Sequence, residues 1–173
     1  EPIFPALTTA QRYHLDVNGY VVIENVLSEN EVGILYEALQ RLKREFFATL
    51  DPWNVTIRNC QISGQSMEWA GPRLHFDNFM ETDPVFLDYL ANPRIVGMAE
   101  EIVGGQVRIE ESQAIINSRP TGGPFDGPAR HQWHHLRPGF STFTDNGLFH
   151  CHMVKALTNL TDLGPDDGGT AVI

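Results

Sequence analysis

Five of the chain's seven histidines fall within the 22 residues that run from His131 to His152: His131, His134, His135, His150 and His152. Ordinary composition supplies about two histidines per hundred residues, so this is a local excess. Imidazole is the commonest protein ligand for mid-series transition metals, which makes a metal site one reading of the cluster. The other is that loops and exposed strands carry these rings as hydrogen-bonding surface groups, and clustering alone does not decide between the two. Spacing adds a constraint. Residues i and i+2 on a β-strand point to one face, so His-x-His or His-x-Asp can grip a single ion. His150-Cys151-His152 has that spacing. So does His75-Phe76-Asp77, which looks like the His-x-carboxylate half of a facial triad that leaves positions open on iron. For this second pair, a structural histidine beside a turn aspartate is the favoured reading, because the stretch around it reads as irregular.

Other chemistries lack their signatures. Neither His-Glu-x-x-His nor paired Cys-x-x-Cys occurs, which removes the common zinc patterns. No Gly-x-Ser-x-Gly elbow and no phosphate-cradling glycine loop is present. Phe140, Phe143 and Phe149 read as core rather than as the lining of a substrate cavity. Twelve Lys and Arg stand against 22 Asp and Glu, a net charge of −10 over 173 residues. Such a surface repels phosphate backbones and anionic lipid, so nucleic-acid and membrane partners are not expected. Two cysteines, Cys60 and Cys151, build no disulfide framework and suit a reducing compartment. With no apolar run near the roughly 20 residues of a membrane span and no charged-then-apolar leader, the expected location is cytoplasmic.

The elements that would position these groups divide into a helix-rich front, 1–105, and a strand-rich back, 106–173, within a single domain. Thr8 caps a short helix that Asn18-Gly19 stops. Tyr20-Val21-Val22-Ile23-Glu24 reads as a buried strand. Ser28-Glu29-Asn30-Glu31 is a capping box before a helix whose Val32, Leu35, Leu39, Leu42 and Phe46 form one apolar stripe. Residues 56–62 and 72–76 suit short strands around an irregular loop. Pro84 opens another helix, Asn92-Pro93 restarts a further one, and Gly104-Gly105 ends it. From Gln106 the period becomes two and runs toward Ile116, and His152–Leu160 reads as a later strand. Helices followed by antiparallel strands predict an α+β fold with a β-sandwich or small barrel behind the helices.

The order of the pieces resembles the phytanoyl-CoA dioxygenase (PhyH) family. Three blocks carry the likeness. The first is Leu7-Thr8-Thr9-Ala10-Gln11 leading to Asn18-Gly19-Tyr20-Val21-Val22-Ile23 and Val26-Leu27-Ser28. The second is Phe86-Leu87-Asp88-Tyr89-Leu90-Ala91-Asn92-Pro93-Arg94-Ile95 with Ala99-Glu100-Glu101-Ile102-Val103-Gly104. The third runs from Ala156-Leu157-Thr158-Asn159-Leu160 to Gly168-Gly169-Thr170.

The resemblance implies a non-haem Fe(II)- and 2-oxoglutarate-dependent oxygenase, with N-terminal helices packed on a double-stranded β-helix (jelly roll). It would hydroxylate a small organic or lipid-like substrate. In that family a His-x-Asp pair and a later His hold the iron, while an Arg grips the oxoacid carboxylate, as a planar guanidinium can. Carried over, His131 matches the first ligand and Gln132 a residue within the pair, facing the cosubstrate. Trp133 stands where the carboxylate belongs, and indole cannot coordinate iron. His134 could substitute by a local register change, and Asp145 only if its loop folds back. The later His and the Arg would follow Ile173, so the resemblance implies the N-terminal part of a longer domain, inactive without its continuation. A truncated sheet leaves strand edges open, and pairing with another copy of the chain, a swapped segment or the continuation of the chain is expected to cover them. Two other readings stay open: a β-helix binding module that has lost its iron, or a zinc site built from the 131–152 histidines.

Overall fold

The computed structural model describes residues 3–49, 54–67, 71–117, 142–164, 169–170 and 172. It is a mixture of helices and antiparallel sheets, in two compact units, and the chain passes between them more than once.

One unit holds 31–87, 110–133 and 158–173. Its helix α2 (Glu29–Phe47) begins directly after Ser28 and buries Leu35, Ala38, Leu39, Leu42 and Phe46. Four of the five expected stripe residues are buried, Val32 in the first turn is only half-buried, and Ala38 joins the same face. A four-stranded antiparallel sheet follows, in the order β1 (Asn54–Ile57), β2 (Cys60–Met67), β3 (Gly71–Asp77) and β4 (Gln113–Asn117). Arg58 and Asn59 form the β1–β2 turn with φ of 45° and 63°, two consecutive left-handed residues that match the twist of a tight hairpin. Arginine is unusual there. Its guanidinium is held by Glu45 of α2 through two hydrogen bonds, at 2.8 and 3.2 Å, and by the Thr82 carbonyl at 3.0 Å. Between β3 and helix α3 (Pro84–Leu90), a short turn places Phe79 edge-on to Phe86, with ring centres 4.8 Å apart. Both rings are buried, along with Cys60, Ile62 and Phe76 of the sheet. Asp83 tops α3, accepting from Val85 N at 3.2 Å and from Arg41 at 2.7 Å.

The other unit holds 1–30, 88–109 and 134–157. Helix α1 (Thr9–Asn18) has a complete capping box between Thr8 and Gln11, and Gly19 ends it at φ 76°. Helix α4 (Pro93–Val103) is capped by Asn92 and ends at Gly104 with φ 78°. Glu101 of α4 accepts hydrogen bonds from the backbone N–H groups of Ala6 and Leu7, and Arg94 donates to the carbonyls of Asn25 and Val26. A hairpin of β5 (Thr142–Asp145) and β6 (Leu148–Cys151) turns on Asn146 and Gly147, at φ 51° and 75°, and β6 lies against α4.

Three strand expectations are corrected. Tyr20–Glu24 forms no strand, and Val22 is 73% exposed; a β-rich composition makes a strand only where a neighbour satisfies its backbone groups. The alternating run from Gln106 pairs only from Gln113, because its partner ends there: after a last bond from Asn78 N to the Ser112 carbonyl, Asn78 takes a left-handed φ of 57° and the chain turns away from β4. Residues 152–160 are irregular, the strand having been β6 just before them.

Candidate functional site

The polar face of the four-stranded sheet gathers the chemistry-bearing residues that the structure describes. Alternation along β3 separates two sets. Phe76 belongs to the core face, beside Ile62 of β2 and Ala114 of β4, and both Phe76 and Ile62 have no exposed surface. Arg73, His75 and Asp77 take the opposite positions. Register sets Asp77 between Gln61 and Gln113, and His75 between Ser63 and Ile115.

The pair expected to sit in an irregular stretch is therefore on a strand. His75 Nε2 stands 3.5 Å from Asp77 Oδ1, with the two side chains 18% and 35% exposed. The i, i+2 geometry holds because β2 and β4 flank β3 on both sides and keep it extended. Gln113 Nε2 donates to Asp77 Oδ1 at 3.0 Å and orients the carboxylate. His75 Nε2 and Arg73 Nε are buried and have no hydrogen-bond partner among the described residues. Such orphan donors are rare in folded proteins, and each costs about 1–3 kcal/mol. Arg73 and Gln113 were not singled out in the sequence; the period-two spacing of 73, 75 and 77, and of 113 across from 77, is the signal that would have found them.

Cys60 lies on the core side of β2 with no exposed surface. Burial, with the nearby Asp77 charge adding to it, pushes its thiol pKa up to about 12, so it is a packed apolar group rather than a nucleophile or thiolate ligand.

In the second candidate pair His150 lies on β6 and His152 just past its end, and an aromatic ring lies against both. Phe143, across the hairpin, stacks on His150 at 4.8 Å and meets His152 edge-on at 5.1 Å. Cys151 between them is buried, its Sγ 3.3 Å from the Met153 carbonyl. His131, Gln132, Trp133, His134 and His135 lie outside the described residues.

A facial triad needs three protein ligands. His75 and Asp77 offer two, and among the described residues no group of three or more His, Cys, Asp or Glu is placed to hold a metal ion. The described donors thus do not fit an iron centre by themselves. Nor is any helix among them long and apolar enough to cross a membrane.

Comparison with known proteins adds what this geometry leaves open. No curated protein and no solved structure matches the chain. A family model does, that of phytanoyl-CoA dioxygenase (PhyH), and it matches residues 15–173, which include the end of α1, all of α2 to α4, both sheets and the undescribed 118–141. With nearly the whole length aligned to it, the chain belongs to the phytanoyl-CoA dioxygenase (PhyH) family.

Proposed function

We propose that the chain is part of a non-haem Fe(II)- and 2-oxoglutarate-dependent dioxygenase that hydroxylates a small organic or lipid-like substrate. Family membership over residues 15–173 is the observation that carries this reading. The antiparallel sheets are compatible with the family's double-stranded β-helix behind N-terminal helices in one domain. In this reading His131 is a metal ligand, His134 contributes a second imidazole in place of the carboxylate that Trp133 cannot supply, and Gln132 faces the 2-oxoglutarate. Iron, when bound, supplies the oxidising chemistry. The chain's share is to present imidazole nitrogen, orient the oxoacid and exclude water around the substrate. The protein works in the cytoplasm on small molecules, and its strand edges pair with a second copy.

The decisive experiment loads the natural full-length protein anaerobically with Fe(II) and follows succinate formation from 2-oxoglutarate in air. Stoichiometric iron, succinate that depends on it, and loss of both in His131→Ala are expected. Trp133 favours a second reading, a binding module of the same fold that has given up the metal; retention of neither iron nor zinc would establish it. Stoichiometric zinc without succinate would point to a zinc site among the 131–152 histidines.

A further inference from the structure

Buried polar groups in folded proteins nearly always have partners. Among the described residues three lack a hydrogen-bond partner, Arg73 Nε, His75 Nε2 and Ser112 Oγ, and the first two occupy neighbouring same-face positions of β3. We propose that Arg73 and His75 form a binding site for the carboxylate of an organic acid with an apolar chain. The guanidinium is always charged and only donates, so the partner it lacks is an acceptor, and an anionic oxygen is the strongest one. His75 Nε2 can donate to the same group. Asp77, 3.5 Å from His75, disfavours a dianion such as phosphate and leaves a singly charged carboxylate as the better match. Ile115, in register with His75, is 45% exposed and offers the carbon skeleton an apolar surface beside the charged pair. Gln113 is already engaged by Asp77.

The test uses the metal-free chain and hexanoate as probe. Calorimetric titration is expected to show one saturable site, with affinity falling about tenfold or more in Arg73→Gln and in His75→Gln, the factor that 1.4 kcal/mol makes. In the wild-type protein, hexanoate is expected to shift the imidazole resonances of His75 and leave those of His14, which sits against Tyr20, where they are. This second measurement decides the matter if either variant fails to fold. Absence of saturable binding, equal binding by the variants, or a shift at His14 without one at His75 would overturn the proposal. So would binding of 2-oxoglutarate without binding of hexanoate, which marks a cosubstrate site only. Neither measurement uses metal or turnover, so the result stands whichever way the iron assay falls.

Discussion

Gln113 Nε2 donates to Asp77 Oδ1 across 36 residues of sequence, at 3.0 Å, and so fastens β4 to β3 through a side chain as well as through the backbone ladder. A hydrogen bond to a partly exposed carboxylate contributes about 1 kcal/mol. Gln113→Ala is expected to lower stability by about that much in urea unfolding. Asp77→Ala should cost about the same, and the double variant less than the sum, because both remove one contact.

Arg58 sits at φ 45° because Glu45 and the Thr82 carbonyl hold its guanidinium there. The pair is close to half exposed, so its value is modest, on the order of 1 kcal/mol. Arg58→Ala loses the contacts and keeps the left-handed strain. Arg58→Gly loses the contacts and relieves it. Urea unfolding is expected to find the alanine variant less stable than the glycine variant by about 1 kcal/mol, the usual cost of a side chain in that region.

The Arg41 guanidinium beside Asp83, helped by Val85 N–H, holds the Asp83 carboxyl below its ordinary value of 3.8. A depressed native pKa means stability that is fully present above the unfolded value and is lost as the pH falls through the folded one. Asp83→Asn is expected to be about 0.5–1 kcal/mol less stable at neutral pH. The gap should close under acid, where the wild-type carboxyl takes up its proton. Unfolding curves collected as a pH series check it, and a gap that widened with acidification would reverse the sign assigned here.

Cys60 is fully buried and its thiol is pushed up to about 12 by burial first and Asp77 second. Thiolate is the reactive form, so iodoacetamide at about pH 8 is expected to leave Cys60 unmodified in the native protein and to label it promptly in denaturant. Peptide mass mapping after each treatment distinguishes the two.

What was legible in the sequence follows from how local each cause is. The Thr8 cap, most of the α2 stripe and the glycine ends of α1 and α4 are set within a few residues, and they stand as expected; Gln11, which completes a capping box with Thr8, adds to the first. Strands are decided by partners. Val21 and Val22 have the composition of a strand but no pairing, whereas the short strand that 72–76 suits forms as β3 and runs on to Asp77 because β2 and β4 flank it. Asn146-Gly147 did announce the β5–β6 turn in a form that could have been read, while Arg58-Asn59 did not, since its left-handed arginine depends on Glu45, thirteen residues earlier. The same limit applies to the site. The i, i+2 rule placed His75 with Asp77, but for His150 and His152 the strand ends between them at Cys151, and the rule carries no information about Phe143, which lies against both rings.

Two glycines test this division between local and distant causes with one substitution. Gly33 lies on the exposed side of α2, and Gly147 closes the β5–β6 turn at φ 75°; an added Cβ would meet nothing within 4 Å at either position. Packing therefore cancels, and only backbone preference remains. In a helix, alanine is favoured over glycine by about 0.8–1.0 kcal/mol, so Gly33→Ala is expected to raise the unfolding midpoint. At φ 75° alanine is strained by about 1–2 kcal/mol, so Gly147→Ala is expected to lower it. Thermal unfolding of the two variants beside the wild type gives both signs. If Gly147→Ala proved neutral, the hairpin turn would have another conformation, and the pairing of Phe143 with His150 that depends on it would have to be redrawn.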